Sequence, residues 1–523
     1  MDSSQYRTAA KEAIDEIANY YDTLEERPVL PSVKPGYLRP LLPDGPPQDG
    51  EAWDKIQADI DRLIMPGLTH WQSPKFMAFF PCNSSFPAMI GDMYSGAFNA
   101  AAFNWICSPA ITELETIVMD WVCNMIGLPK CFLSTSENGG GGIIQGTASE
   151  VIVTAVVAAR ERLIRRRLAD MPEGEEKLDK AADKRGKLVA LGSEHAHSST
   201  MKAAIIAGTR FRTVPATKES NYGVTVDALR RTIEECYAKG LEPFYFTATL
   251  GSTGTCAIDD LAGIAELAKE YPDIWIHVDA AYAGSALVCP EYQHLCPPIA
   301  NFDSFNLNLH KWLLVNFDCS AFYVKSRKDL IDTYSITPSY LRNEFTESGL
   351  VTDYRDWQIP LGRRFRSLKV WFVLRTYGVS GLRDFIRKHI KLGEYFHELL
   401  KSRSDIFSIT TEPAFGLVTF QIKPPVPITS KAAADQSDPA HEAYSNDFMP
   451  NAEAQYRENS NHRTKEVYEA VNSKGEFFLT STVVCGTYVI RVVSATILSE
   501  EKYLKGVFDA LVEAAEEANG EGP

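Results

Sequence analysis

At 523 residues, with 45% hydrophobic and 23% charged content, the chain is long enough for more than one domain and apolar enough for a large packed core. A formal net charge of −15 disfavours a polyanionic partner, because nucleic acid is gripped by concentrated Lys and Arg. The start, Met1-Asp2-Ser3-Ser4-Gln5, lacks a basic-then-apolar signal and no apolar run approaches the ~18 residues a membrane span requires, so a cytoplasmic protein without a membrane partner is expected.

Ala10, Ile14, Ile17 and Tyr21 recur at helical spacing over residues 7 to 24, and the prolines from Pro28 to Pro47 forbid a long helix after them. An amphipathic arm of this kind must pack on the body or on another subunit. Beyond about residue 110 helical and extended signals alternate. A Gly-rich turn, Gly139 to Gly142, leads into a helical run from Val151 to Leu168, and Lys187 to Leu191 is strand-like. Thr225 can cap a helix ending near Gly240; Phe244 to Thr249 reads as a buried strand, Ile258 to Tyr271 as a helix and Ile274 to Val278 as a strand. This alternation predicts an α/β fold, a mostly parallel sheet covered by helices, with ligands at the carboxyl ends of its strands.

Past Asp384 the pattern changes to a helix from Ile386 to Leu400, a strand from Leu417 to Ile422, a polar insertion around 424–462, a strand from Thr487 to Val493 and a last helix capped by Ser499. The ten cysteines are scattered and contain no Cys-x-x-Cys, so they read as reduced core thiols.

Chemistry concentrates in a few segments. Asp279 ends the apolar run Ile274-Trp275-Ile276-His277-Val278-Asp279, and Lys311 ends Asn306-Leu307-Asn308-Leu309-His310-Lys311. An amine able to form a Schiff base and a carboxylate able to hold a pyridinium nitrogen are the two groups that pyridoxal phosphate chemistry needs most. Asn138 to Ser149 opens into a helix and offers backbone N–H groups and a Ser hydroxyl to a phosphate ester; a surface turn explains the same glycines equally well. Glu194-His195-Ala196-His197-Ser198-Ser199 follows a strand. Its His-x-His could be a metal fragment, but without HExxH or a third ligand nearby no metal is expected, and His197 is better suited to lie on a flat heteroaromatic ring.

Taken in order, Thr69-His70-Trp71, Phe79-Phe80-Pro81, Ser108 to Glu115, Ala196 to Ser199, His277 to Gly284, His310-Lys311-Trp312 and Gly362 to Arg366 resemble the group II pyridoxal-phosphate decarboxylases, specifically the aromatic-L-amino-acid decarboxylase type. The resemblance covers nearly the whole chain. It implies a fold-type I architecture: an N-terminal helical arm over 1–85 packing on a partner subunit, a large cofactor domain over 86–383 and a small C-terminal α+β domain over 384–523, joined as a homodimer with shared sites. It further implies that Lys311 carries the cofactor, that Asp279 supports the ring nitrogen, that His197 stacks on the ring above Ala281, and that Ala148, Ser149, Asn308 and His310 surround the phosphate with Thr249 close by.

In the same resemblance, Gly349 to Trp357 matches the family's mobile active-site loop, with Tyr354 as proton donor to Cα after decarboxylation. Relatives with Phe at that position instead release an aldehyde, ammonia and peroxide. The substrate pocket would be Trp71, Phe79, Phe80, Pro81, Cys82, Ala101, Phe103 and Gly362. Small residues at Ala101 and Gly362 favour an indole, which places tryptophan ahead of tyrosine and dopa. The competing readings are an aromatic acetaldehyde synthase and a cofactor-free binding protein on the same fold. The basic cluster Arg363, Arg364, Arg366 and Lys369, within an acidic chain, reads as an ion-paired anchor for a loop or interface.

Overall fold

The computed structural model describes residues 1–336, 344–345, 351–424 and 449–518. Two sheets organise them. The larger has seven strands in the order β1-β7-β6-β5-β4-β2-β3: β1 (Gly141–Gln145), β2 (Leu188–Ser193), β3 (Arg210–Val214), β4 (Glu242–Thr249), β5 (Trp275–Asp279), β6 (Ser304–Asn308) and β7 (Ser320–Val324). Pairing is parallel from β3 through β6, and β7 runs antiparallel between β6 and β1. Side chains alternate across this sheet, and both faces are buried. Val189 and Leu191 of β2 enter one apolar cluster, whereas Leu188 and Ala190 enter the other. That is why these strands read as continuous apolar runs.

The expected elements occur with shifted ends. The helix after β4 spans Leu261–Glu270 and starts later than Ile258 because Ile258 bridges back to Leu250 while Asp260 caps the helix through Gly263 N–H. Thr225 caps Val226–Ala238 as its position suggested, its hydroxyl accepting from Ala228 N–H. Ser499 is not a cap: its hydroxyl pairs with Thr496, and Glu501–Glu517 begins after Glu500.

The smaller sheet is antiparallel, in the order β10-β11-β9-β8, with β8 (Phe407–Ala414), β9 (Leu417–Ile422), β10 (Thr480–Val484) and β11 (Thr487–Val493). Helices Ser367–Ser402, Met449–Ser473 and Glu501–Glu517 bury its core, which includes Phe396, Phe420, Val467 and Leu504. The first of these helices carries a non-helical Gly378 with φ 63, and the division expected at 383/384 falls within it. Residues 449–462 of the expected polar insertion belong to a helix; 425–448 lie outside the described residues. The N-terminal helix, Ser3–Asp22, leaves Ile14 and Ile17 exposed, and Tyr20 Oη meets His70 Nδ1 at 2.9 Å. The extended segment behind it is stitched to the small sheet by Met77 N–H to the Phe478 carbonyl and Val493 N–H to the Met77 carbonyl.

Candidate active site

Three parallel strands deliver the site. Thr249, Asp279 and Asn308 are the last residues of β4, β5 and β6, and Thr249 pairs in register with Asp279. Lys311 follows on a short helix, Leu309–Trp312, and His197 stands on the loop after β2. Ala148 and Ser149 open the helix Ala148–Arg167, whose first turn Thr147 caps by accepting Glu150 N–H. These residues, with Ala281 and His310, line one cavity of about 210 Å³. Phe80, Thr147, Gly251, Thr253 and Tyr282 complete its wall. Sequence spacing gave no sign of Thr253 or Gly251. Gly251 sits at φ +88 with the Ala283 Cβ 2.4 Å from where its own Cβ would be, so only glycine allows this turn.

The anion seat is narrower than expected. Gly139 precedes β1, and Gly141 and Gly142 belong to that strand; a Cβ on Gly142 would strike Tyr323 and Met119. Gly141 and Gly142 serve close packing, and of the expected segment it is Thr147, Ala148 and Ser149 that line the cavity.

Electrostatics follow from burial. Desolvation pulls the Lys311 amine below the ordinary lysine range, with Asp279 opposing. Asp279 Oδ1 accepts the Ala281 N–H at 3.0 Å, which fixes its carboxylate. His197 is lowered by burial and Lys311, again against Asp279. Ser199 N–H donates to His197 Nδ1, so the ring proton resides on Nε2. His310 Nδ1 lies 2.9 Å from both the amide nitrogen and the carbonyl oxygen of Cys319, and burial drops that ring to about 4. Beneath them Asp259 receives Val224 N–H on one carboxylate oxygen and Thr249 N–H on the other, both at 2.7 Å, and burial raises it to about 7.

Two buried atoms on the cavity wall have no partner, Thr249 Oγ1 and Asn308 Oδ1. Orphaned polar groups beside a buried amine, a carboxylate and a helix start fit a ligand carrying an aldehyde, a basic ring nitrogen and a phosphate.

The expected substrate residues fall into separate places. Phe80 lines the cavity, stacked on Tyr282 at 3.8 Å with the Lys311 Nζ 5.6 Å from its centroid. Trp71 stacks on Phe79 at 5.6 Å, and Trp71 and Cys82 face a second hollow with Phe317, while Pro81 is buried between Phe80 and Cys82. Ala101 and Gly362 line a third, where Arg363 N–H donates to the Ala101 carbonyl and Arg355 N–H to the Phe103 carbonyl. One chain therefore does not join these groups into a single pocket.

Tyr354, expected as the proton donor, is a buried side chain. It is 2% exposed, packed with Trp357 under the Arg363 guanidinium, and does not line the cavity. Its hydroxyl is committed to Thr116 at 2.9 Å, and burial pushes its pKa up. In this chain the phenol stands apart from the residues that line the Lys311 cavity. Gly349 and Leu350 of the same expected loop lie outside the described residues. The basic cluster behaves as expected: Arg363 forms a buried two-pronged pair with Glu115, Arg366 pairs with Asp318, and Lys369 and Arg364 reach Asp92.

Residues 35–423 match the pyridoxal-dependent decarboxylase conserved domain. Aromatic-L-amino-acid decarboxylase of Rattus norvegicus is 49% identical over 423 residues, covering 81% of this chain and 86% of the relative. Among solved structures, Catharanthus roseus tryptophan decarboxylase in complex with L-tryptophan aligns with TM-score 0.85 and 37% identity, and Rhodiola rosea 4-hydroxyphenylacetaldehyde synthase with 0.83 and 33%, each over 99% of both chains. Among the described residues, no helix is long and apolar enough to cross a membrane.

Proposed function

The chain belongs to the pyridoxal-dependent decarboxylases, and from that membership we propose that it removes the α-carboxylate of aromatic L-amino acids, tryptophan-type substrates first and tyrosine or dopa second. The observation that carries this reading is the joint placement of Lys311, Asp279 and His197 on one cavity that also holds the orphaned Thr249 and Asn308 oxygens.

When bound, pyridoxal phosphate supplies an electron sink for the pair left at Cα as carbon dioxide departs. Thr147, Ala148 and Ser149 would offer helix-start donors to its phosphate, with His310 and Asn308 beside them. Asp279 holds a proton at the ring nitrogen through a charge-assisted hydrogen bond. Lys311, its basicity reduced by burial, would present an unprotonated amine to the aldehyde of that group more readily than a solvated lysine. A proton must return to Cα, and His197, with its hydrogen on Nε2, and Lys311 are lining groups able to deliver it.

We further propose a homodimer with shared sites. Phe86, Ile90, Met93, Tyr94 and Phe98 are all exposed on one helix, Phe86–Phe98, an apolar stripe uncommon on a solitary soluble chain. The hollows at Cys82 and at Gly362 are separate within one protomer, so a second copy is the economical way to close a substrate pocket. Room at Ala101 and Gly362 supports an indole, and the Catharanthus enzyme held L-tryptophan.

Aldehyde formation is the second reading, because Tyr354 no longer discriminates against it and the Rhodiola synthase shares the fold at 33% identity. Incubating the holoenzyme with tryptophan, tyrosine and dopa should yield carbon dioxide and the matching amines, tryptamine fastest. Aldehyde with equimolar peroxide would establish the second reading, and no carbon dioxide from any of the three would reject both.

A further inference from the structure

Glu194, His195 and Cys485 bring three metal-ligating atoms within 4.8 Å of one another, away from the cofactor cavity. His195 Nε2 lies 3.8 Å from Cys485 Sγ and 3.9 Å from Glu194 Oε1. Bond lengths of about 2.0 to 2.3 Å in a tetrahedral zinc site set ligand atoms roughly 3.3 to 3.7 Å apart, so a small closure completes the geometry. The ligands come from two domains. Glu194 and His195 occupy the loop after β2, and Cys485 is the first residue of the two-residue turn joining β10 to β11. That separation, 290 positions, hides the third ligand from any reading of spacing along the chain.

Local detail favours a binding site over an accidental meeting. Cys485 holds φ +48 and Gly486 φ +78, the left-handed pair of a tight hairpin in which Asn, Asp or Gly is the ordinary choice. A thiol is thereby presented at the turn's tip toward the imidazole. The His195 ring is mostly buried and stands edge-on to Tyr222, and its Nε2 and the Cys485 thiol converge on the same Ala216 carbonyl, at 3.1 and 3.8 Å. Glu194 is held by accepting Ala216 N–H. Binding a cation costs those two contacts to one carbonyl and a change of tautomer in the His195 ring, whose Nε2 proton faces Ala216 in the empty site.

We propose that Glu194, His195 and Cys485 form a site for a zinc-type divalent cation, with three protein ligands and a fourth position open to water. Thiolate with imidazole and one carboxylate selects zinc or its cobalt surrogate over calcium or magnesium, which require more oxygen donors. The thiol loses its proton to solvent on binding, the His195 ring proton shifts from Nε2 to Nδ1 to free the ligating lone pair, and no electron is transferred. Occupancy would tie the small sheet's hairpin to the loop that carries His197 two residues on.

Holoenzyme stripped with chelator and titrated with cobalt should take up one equivalent per chain and develop a thiolate-to-cobalt absorption. Zinc should displace the cobalt, raise the thermal midpoint and slow iodoacetamide alkylation of Cys485. Cys485→Asn suits the turn's backbone and should fold, keep the metal-free decarboxylation rate, and weaken cobalt by more than about 100-fold, since even outer partners of a metal ligand are worth about 10 to 100-fold. His195→Asn should weaken it similarly. Equal cobalt affinity in wild type and Cys485→Asn, or bound cobalt without a thiolate band, would overturn the proposal.

Discussion

The cavity around Lys311 and the shelf around Gly362 are built in opposite ways. The first is assembled largely by strand ends of one sheet, each pinned by backbone hydrogen bonds to its neighbours, and one chain brings Lys311, Asp279 and His197 onto it. The second rests on irregular chain, with Ala101 and Phe103 held by single backbone bonds from Arg363 and Arg355, and it faces a hollow that contains none of the cofactor-facing groups. A group held on strand ends is positioned more precisely than one held on irregular chain, which tolerates change more readily. Substitutions in the first region should therefore change whether reaction occurs, and substitutions in the second which substrate reacts.

The sharpest break falls on the cavity. Lys311→Ala should lower decarboxylation by more than about 10⁴-fold, as removal of a covalent catalytic group does. Asp279→Asn should cost about 10²-fold or more in kcat with KM nearly unchanged, because its charge acts on the reacting state more than on binding. Steady-state rates on holoenzyme, with bound cofactor measured separately, check both. A KM rise with kcat intact in Asp279→Asn would remove it from the chemistry.

Next comes the support of the shelf. Glu115 takes both prongs of Arg363 and the Ile144 N–H, all buried. Glu115→Gln strands the guanidinium and should destabilise by about 3 to 5 kcal/mol in urea unfolding. It should also impair tryptophan use more than cofactor binding, since Arg363 adjoins Gly362 whereas the cavity stands on other elements.

The cradle should announce itself by pH. Burial holds the His277 and His310 rings at about 4, below their ordinary 6.5. With folded values depressed, their contribution is full above pH 6.5 and is lost as pH falls through 4, about 3 kcal/mol for each ring. Asp259 runs the other way: raised to about 7, its contribution is present at low pH and is lost as pH rises from about 4 through 7. Asp259→Asn should therefore steepen the loss of stability between pH 6.5 and 4, measured by thermal or urea unfolding. An unchanged slope would mean that Asp259 is ionised in the folded protein.

Two of the three strands at the cavity were legible because they are apolar runs that end in a polar residue, Thr249 and Asp279, whereas β6, Ser304-Phe305-Asn306-Leu307-Asn308, is no such run. The short helix bearing Lys311 was not foreseen, since the four residues Leu309–Trp312 are too few to show a helical period. The glycines at 139–142 misled for a physical reason: the same residue type marks a ligand turn and a crowded strand, and only the Tyr323 and Met119 side chains across from Gly142 tell them apart. Tyr354 misled similarly, since a tyrosine amid Asp and Arg reads as an exposed loop until Thr116, Arg363 and Trp357 close over it. Contacts between residues hundreds of positions apart, such as Phe76 with Phe478, leave no local signature.

A smaller effect tests the shelf's selectivity. A Cβ on Gly362 would meet nothing within 4 Å in its own chain, so Gly362→Ser should fold with unchanged stability. Its hydroxymethyl group fills the hollow and should lower the tryptophan-to-tyrosine ratio of kcat/KM by about 1 to 3 kcal/mol, roughly 5 to 150-fold, while product remains amine. An unaltered ratio would detach this hollow from the substrate pocket.

The smallest effect is the most informative about Tyr354. The Thr116 hydroxyl already donates to the Thr112 carbonyl, so it is the Tyr354 O–H that donates to Thr116. Tyr354→Phe removes that one bond and keeps the ring under Arg363 and against Trp357, so it should cost about 1 kcal/mol of stability. Amine should remain the product, with kcat altered less than about twofold, since a difference of only ~0.4 kcal/mol in a barrier has that size. A switch to aldehyde and peroxide would show that the phenol leaves its buried seat during turnover, and the distinction between a chemistry-bearing cavity and a scaffold-bearing shelf would then fail at this residue.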